Sequence, residues 1–132
     1  MPITGECFCG EVTYRIDGHL KDGRSCHCSR CRKLFNAQAS AVAFVEPDQF
    51  KWTSGESLLT SYTNQQGYGV KFCKKCGSTL CTVHNDQVLQ VTLGCVNGDP
   101  EIDIGQHIYV GSKARWEVMP EGVSQFEAAL IK

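Results

Sequence analysis

Residues 26–31 of the chain read Cys26-His27-Cys28-Ser29-Arg30-Cys31. Three thiols in one short loop are the strongest pattern in this sequence. Two further pairs flank the loop along the chain, Cys7-Phe8-Cys9 upstream and Cys73-Lys74-Lys75-Cys76-Gly77 downstream. Seven of the nine cysteines therefore lie in closely spaced clusters, and such clusters are typical of zinc-binding loops.

A disulfide framework is the competing interpretation of these cysteines. Their number, nine, is odd, and pairs separated by one or two residues are too short for structural bridges within each pair. Residues 1–6 show no charged segment leading into an apolar stretch, so we do not expect secretion. We expect a cytoplasmic protein whose thiols bind metal, because a reducing compartment disfavours stable disulfides.

The composition is that of an ordinary globular protein. The 132 residues predict a single domain over residues 1–132, with 42% hydrophobic and 20% charged residues. A net charge of −1 gives no general attraction to nucleic acids or to membrane surfaces. No apolar run approaches the roughly 20 residues of a membrane span. We therefore expect neither a membrane nor a nucleic-acid partner, and the sequence leaves the oligomeric state open.

Short strand-like segments with turns between them predict a mainly β fold. These segments are residues 11–17, 41–45, 50–53, 57–63, 70–72, 79–83, 87–93 and 106–110. Helix signals are few. Ser29 to Ala37 predicts one or two helical turns, and the capping-box spacing of Ser124 and Glu127 predicts a short C-terminal helix. The sequence thus predicts short antiparallel strands, little helix and two zinc-bearing loop regions.

Ligand counting divides the clustered thiols into four and three. Structural zinc takes four ligands, often as two pairs from separated loops, and the pairs Cys7/Cys9 and Cys73/Cys76 make such a set. Gly77 fits the turn of a zinc knuckle, where we expect glycine to relieve crowding near the sulfurs. A site that combines Cys73 and Cys76 with two thiols of residues 26–31 is the alternative, and spacing alone does not exclude it.

The remaining three thiols predict a more reactive site. Cys26, Cys28 and Cys31 would leave zinc one free position for water or a substrate thiol, as a catalytic site requires. His27 is a weaker candidate for the fourth ligand, because its neighbours are ligands and its side chain is expected to point elsewhere. Basic residues around the loop either lower thiol pKa values and bind an anionic substrate, or are solvated surface charges. These residues are Arg24, Arg30, Arg32 and Lys33.

The isolated cysteines and histidines carry weaker signals. Cys81 and Cys95 lie in strand-like segments, and we expect both to behave as small buried hydrophobic residues. His84 precedes a turn and is expected to be exposed.

Four ordered motifs run along the chain. They are Gly5-X-Cys7-X-Cys9-Gly10-X-Val12-X-Tyr14, Cys26-His27-Cys28-X-X-Cys31-Arg32-Lys33, Phe72-Cys73-X-X-Cys76-Gly77-Ser78-X-Leu80 and His107-Ile108-Tyr109-Val110-Gly111-Ser112-Lys113-Ala114-X-Trp116. In this order the motifs resemble the glutathione-dependent formaldehyde-activating enzyme family, also called the centromere protein V domain family. The resemblance covers residues 5–116, nearly the whole chain.

The resemblance implies a β-rich, tent-like fold with two zinc ions. By the motif matches, Cys7, Cys9, Cys73 and Cys76 would hold a structural zinc, and Cys26, Cys28 and Cys31 would hold a catalytic zinc. The implied reaction is a reversible carbon–sulfur lyase step that joins formaldehyde to glutathione, the co-substrate, as S-hydroxymethylglutathione. The implied partners are thus small thiols and aldehydes.

Two further expectations complete the sequence-based interpretation. Arg32, Lys113 and Arg115 are candidates to bind the carboxylates of glutathione, although each is equally well interpreted as a surface charge. The competing function is a non-catalytic zinc-binding interaction module, or a sensor of zinc or thiol oxidation.

Overall fold

The structure is a computed structural model that describes residues 2–129. In chain order its strands are β1 (Ile3–Glu6), β2 (Thr13–Ile16), β3 (Lys21–Cys26), β4 (Val42–Phe44), β5 (Phe50–Ser54), β6 (Leu59–Thr63), β7 (Tyr68–Cys73), β8 (Thr79–His84), β9 (Gln87–Thr92), β10 (Gln106–Ile108) and β11 (Ser124–Gln125). Among these residues there is one α-helix, α1 (Ser29–Phe35), with short 3-10 turns at Pro47–Gln49, Glu56–Leu58, Leu93–Cys95 and Val110–Ser112. No helix in this range is long and apolar enough to cross a membrane.

The described chain divides into two compact units. The first comprises residues 2–21 and 43–102, and the second comprises residues 22–42 and 103–129. The expectation of a single domain over residues 1–132 stays a prediction.

A three-stranded antiparallel sheet in the order β1-β2-β5 forms one part of the first unit. Strand β2 alternates as its sequence predicts, with Tyr14 and Ile16 buried and Arg15 exposed. Gly5 lies opposite Tyr14 in the register of β1 and β2. A Cβ atom at position 5 would collide with the Tyr14 ring, so glycine leaves the space that this ring fills.

Five strands of a second, eight-stranded sheet lie in the first unit, in the order β4-β9-β8-β7-β6. Strands β6 to β9 pair antiparallel. Asn85 and Asp86 join β8 to β9 with positive φ angles of 50° and 68°, as a tight hairpin turn requires. The core of the unit combines the buried side chains of both sheets, including Tyr14, Ile16, Leu80, Cys81, Val83, Val88 and Val91.

Strand β10 organises the second unit, because it pairs in parallel with both β3 and β11. In this register His107 lies opposite Ser25 and Ile108 lies opposite Cys26. The helix α1 follows Cys28 and ends at Asn36, whose φ of 55° is left-handed. The end of β3 and the start of α1 thus carry the whole segment 26–31.

The mainly β fold with little helix is confirmed. Each of the eight predicted strand segments overlaps an observed strand, and the predicted helix at Ser29 to Ala37 is α1. The sequence did not predict β1, β3 or β11. The strand β3 reads Lys-Asp-Gly-Arg-Ser-Cys, which has no apolar alternation, and its parallel pairing with β10 holds it in the sheet.

The predicted C-terminal helix is wrong over the residues that the structure describes. Ser124 and Gln125 form β11, residues 126–129 are not helical, and Leu130 lies outside the described range. The Phe126 N–H donates to the His107 carbonyl at 2.8 Å. Pairing with β10 therefore uses the backbone groups that a helix would need, and it overrides the local capping signal.

Candidate metal centres

Four sulfur atoms meet in the first unit. The Sγ atoms of Cys7, Cys9, Cys73 and Cys76 all lie within 4.8 Å of one another. The Cys7–Cys9 sulfur distance is 3.5 Å and the Cys9–Cys73 distance is 3.9 Å. Tetrahedral zinc with Zn–S bonds of about 2.3 Å needs sulfur–sulfur distances of about 3.8 Å. The arrangement thus fits a four-thiolate zinc site. It joins Cys73 and Cys76 to Cys7 and Cys9, not to two thiols of residues 26–31.

Two glycine turns shape the loops that carry these thiols. The Gly10 N–H donates to the Cys7 carbonyl at 3.0 Å, and the Gly77 N–H donates to the Cys73 carbonyl at 2.7 Å. The φ angles of the two glycines are +80° and +81°, a region that side-chain-bearing residues disfavour. A Cβ atom at Gly77 would meet nothing within 4 Å. The expectation that this glycine relieves crowding is therefore wrong, and its backbone conformation is the reason for it.

Backbone N–H groups point at the sulfurs of this four-thiol group. The Val12 N–H donates to the Cys7 sulfur at 3.4 Å. Burial alone would raise the pKa of Cys76, but N–H groups of Cys9 and Ser78 outweigh it and lower that pKa to about 6. Donors of this kind favour thiolates, the form that binds metal. At the surface beside the group, Lys75 forms an ion pair with Glu11.

Three sulfur atoms meet in the second unit, from Cys26, Cys28 and Cys31, again within 4.8 Å of one another. Cys26 is buried at the end of β3, where Ser40 binds both of its backbone groups at 2.9 and 3.0 Å. Cys28 is the N-cap residue of α1, and its sulfur accepts the Cys31 N–H at 3.4 Å. A strand end and a helix start thus fix the three thiols.

The pKa values of Cys26 and Cys31 shift in opposite directions. The hydrogen bond from Cys31, helped by the Cys28 N–H, overcomes burial and lowers the pKa of Cys26 to about 6. The same hydrogen bond raises the pKa of Cys31. This hydrogen bond thus favours the thiolate form of Cys26, the form that binds metal. Three thiolates with room for a fourth ligand are a donor set that suits an open zinc site.

His27 lies between two of these cysteines but is not directed at a metal. Its ring is fully buried, with Nδ1 at 2.8 Å from Glu117 Oε1 and Nε2 at 2.9 Å from His107 Nδ1. Both ring nitrogens are thus occupied, in agreement with the expectation that the side chain points elsewhere. Burial and the neighbouring His27 lower the pKa of His107, although Glu117 acts against this. Sequence reasoning missed Glu117 entirely, because no local pattern marks it.

The predicted substrate contacts lie on the second unit. Arg32 donates from Nη2 to the Ser112 carbonyl at 3.2 Å, and Lys113 donates from Nζ to the Glu117 carbonyl at 3.1 Å. Arg115 is exposed. Two of the three cations are therefore tied to the segment 112–117, and their contact with substrate carboxylates stays a prediction.

The isolated residues differ from expectation in part. Cys81 is fully buried in the core, and burial raises the pKa of its thiol to about 12. Cys95 is only half-buried and belongs to the 3-10 turn Leu93–Cys95, with its sulfur 3.6 Å from Ser78 Oγ. The expected exposure of His84 is wrong, because its ring is half-buried and stacks on Tyr68 with centroids 4.0 Å apart.

Comparison with known proteins identifies a family and a similar fold. The model of a family described as "Glutathione-dependent formaldehyde-activating enzyme" matches residues 2–112. A crystal structure of a Rhodobacter sphaeroides protein has a TM-score of 0.56 and 21% sequence identity, over 93% of this chain and 98% of that chain. At this identity the similarity shows the fold alone. No curated protein sequence matches the chain significantly.

Proposed function

The chain belongs to the glutathione-dependent formaldehyde-activating enzyme family, and from this membership we propose that it is a zinc-dependent carbon–sulfur lyase. Its reaction forms or cleaves S-hydroxymethylglutathione or a similar adduct of a thiol and an aldehyde. The observation that carries this proposal is the three-thiol group of Cys26, Cys28 and Cys31, whose sulfurs lie within 4.8 Å of one another. An incomplete thiolate set leaves space for a reacting ligand, which a purely structural site does not need.

The two thiol groups divide the metal chemistry between them. Cys7, Cys9, Cys73 and Cys76 would hold a zinc that stabilises the fold, and Cys26, Cys28 and Cys31 would hold the second zinc. Zinc bound by three thiolates would have one free coordination position. A substrate thiol bound there would have a lowered pKa, and an aldehyde oxygen bound there would be polarised. The Ser40 contacts and the cap of α1 keep the three sulfurs in place for that purpose.

The proposed reaction is balanced without any oxidant or reductant. In the forward direction the glutathione sulfur attacks the carbonyl carbon of formaldehyde, so a carbon–sulfur bond forms while the π bond of the carbonyl group breaks. The oxygen gains one proton and the thiol loses one. Arg32, Lys113 and Arg115 are proposed to bind the tripeptide carboxylates. We place the protein in the cytoplasm, where glutathione is abundant and the thiolates stay reduced.

Exchange NMR of a mixture of formaldehyde and glutathione tests this function. We expect the zinc-loaded protein to accelerate the exchange between free formaldehyde and its glutathione adduct above the spontaneous rate. Cys28→Ser, which removes one thiol of the three-thiol group, should abolish the acceleration. Cys95→Ser is the matched control, because this half-buried thiol belongs to neither group, and it should keep it.

An exchange rate equal to the spontaneous rate with fully zinc-loaded protein would exclude this reaction. The non-catalytic zinc-binding module or sensor would then be the better interpretation of the same two thiol groups.

A further inference from the structure

Three titratable side chains, those of Glu117, His27 and His107, form a hydrogen-bonded series beside the three-thiol group. Glu117 Oε1 lies 2.8 Å from His27 Nδ1, and His27 Nε2 lies 2.9 Å from His107 Nδ1. The His27 side chain is 1% exposed and that of Glu117 is 11% exposed. Withdrawing such groups from water is costly unless they hydrogen-bond to one another. The lyase chemistry proposed above uses none of the three.

The backbone geometry at His27 connects this hydrogen-bonded series to the thiols. Cys26 ends a strand and Cys28 has the extended angles φ −70° and ψ 158°. Successive side chains of extended backbone point to opposite sides. The His27 ring therefore lies on one side of the loop while the sulfurs of Cys26 and Cys28 lie on the other. The His27 N–H also donates to the Ile108 carbonyl at 2.9 Å.

The hydrogen bond to Glu117 places a proton on His27 Nδ1, because an ionised carboxylate only accepts. When His27 is neutral, its Nε2 then accepts from His107 Nδ1–H. Glu117 itself is held by a turn, since its N–H donates to the Ala114 carbonyl at 3.1 Å. The ring that separates the two cysteines is thus fixed in orientation from the distant residue 117.

We propose that Glu117 is a positioning residue that, through its hydrogen bond to His27, sets how tightly the three-thiol group holds its metal. The proposal rests on the metal-binding part of the proposed function. Hydrogen-bond partners of metal ligands alter metal affinity by about 10–100-fold. Glu117 bonds a neighbour of the ligands rather than a ligand, so we expect an effect at the lower end of this range. Loss of the Glu117 acceptor leaves a buried N–H unpaired, which loosens the His27 anchor and with it the spacing of Cys26 and Cys28.

Three substitutions at position 117 separate the possible contributions of this side chain. Glu117→Gln keeps an acceptor oxygen at the same place but removes the charge. Glu117→Asp keeps the charge but withdraws the oxygen by one methylene. Glu117→Leu removes the acceptor altogether. If the side chain acts through its hydrogen bond, Glu117→Gln should resemble the wild type, whereas Glu117→Asp and Glu117→Leu should not.

The experiment measures metal release from protein loaded with two Co²⁺ ions, whose visible thiolate bands report each site. We expect Glu117→Asp and Glu117→Leu to speed chelator-driven release from the three-thiol group by about tenfold and to shift its visible bands. Glu117→Gln should stay near the wild-type rate. Release from the four-thiol group should be unchanged in all three variants, so that this group is an internal control.

Several outcomes would overturn the proposal. Wild-type release rates in Glu117→Asp and Glu117→Leu would overturn it. Equally faster release from both thiol groups, together with a lower melting temperature, would also overturn it, because these changes indicate a merely structural role. A wild-type release rate in Glu117→Asp together with a faster release in Glu117→Gln would assign the effect to the charge of Glu117 and contradict the proposal. If Glu117→Leu does not fold, Glu117→Asp decides. If the wild-type protein binds only one Co²⁺ ion, both the metal-binding part of the proposed function and this inference are wrong. If it binds two ions and the variants release them at wild-type rates, only the inference is wrong.

Discussion

Two buried polar side chains, those of His27 and Tyr14, differ in whether they have hydrogen-bond partners. His27 has a partner for each ring nitrogen, whereas the buried Tyr14 hydroxyl finds no hydrogen-bond partner among residues 2–129. The Tyr14 ring packs against Phe50 and Trp52 with centroids 5.0 and 6.0 Å away. An unsatisfied buried hydroxyl costs about 1–3 kcal/mol. The aromatic packing therefore stabilises the fold in spite of the hydroxyl.

We expect Tyr14→Phe to be neutral or to raise the free energy of unfolding by about 1 kcal/mol at pH 7, because it removes an unpaired polar group and keeps the ring. Burial raises the pKa of Tyr14 above its ordinary value of 10. The unfolded chain therefore ionises first, and the wild type loses stability as the pH rises above 10. Tyr14→Phe should show a smaller loss. Urea unfolding at pH 7 and pH 10.5 measures both effects, and an equal alkaline loss in the two proteins would contradict this account.

The cations of the second unit carry a prediction about substrate binding. Arg115→Gln and Lys113→Gln should each raise KM for glutathione by about two- to fivefold, the effect of an exposed ion pair, with kcat little changed. Steady-state kinetics with glutathione and with 2-mercaptoethanol, which has no carboxylate, gives the comparison. Lys51→Gln, at an exposed lysine of β5, is the control. Equal increases in KM for glutathione and 2-mercaptoethanol would contradict a contact between these cations and the glutathione carboxylates.

At the scale of the elements, the two thiol groups are built differently. Glycine turns with φ near +80° shape the loops of the four-thiol group. The three-thiol group instead lies where β3 ends and α1 begins. The sequence predicted the loops and the helix, because cysteine spacing and glycine position are local signals. It could not predict β3, whose polar residues are held by pairing with β10, about 80 residues further along the chain.

This difference predicts opposite effects of two cysteine substitutions. Cys76→Ser should leave the chain unfolded, because structural zinc contributes about 10–16 kcal/mol and a domain's net stability is about 5–15 kcal/mol. Cys28→Ser should lose one zinc and stay folded, since serine is also a good N-cap for α1. Zinc analysis and circular dichroism measure both effects. An unfolded Cys28→Ser, or a folded Cys76→Ser, would contradict the division of roles.

At the scale of the whole molecule, what the sequence left out depends on distant contacts. The cysteine clusters and most strands follow from patterns within a few residues of each other, whereas the grouping of Cys7 and Cys9 with Cys73 and Cys76 was implied by the family resemblance. The Glu117–His27 contact joins positions 90 residues apart, and β11 forms only because β10 is beside it. Such pairings arise from the folded chain, so a single sequence does not show them. Substrate contacts belong to the same class and stay a prediction.

The nine thiols should become reactive in a defined order. In the zinc-loaded native protein we expect slow reaction with a thiol reagent, limited to the half-buried Cys95. A mild chelator should then expose three thiols, those of the three-thiol group, because an incomplete ligand set releases metal more readily. The remaining thiols, including the buried Cys81, should react only on unfolding with strong chelation. A first chelator step that exposes four thiols instead of three would reverse the assignment.

The four-thiol group also sets a condition on biosynthesis. Cys9 and Cys73 are 64 residues apart, and joining points at that separation costs about 4 kcal/mol of chain entropy. The N-terminal pair must therefore wait until translation has delivered residues 73–76 before its metal site can close. Until then Cys7 and Cys9 lack the two thiols that complete their site, and such an incompletely folded chain is prone to aggregation. The yield of native protein in a cell should accordingly follow the free zinc available during synthesis, even where ample zinc is supplied afterwards.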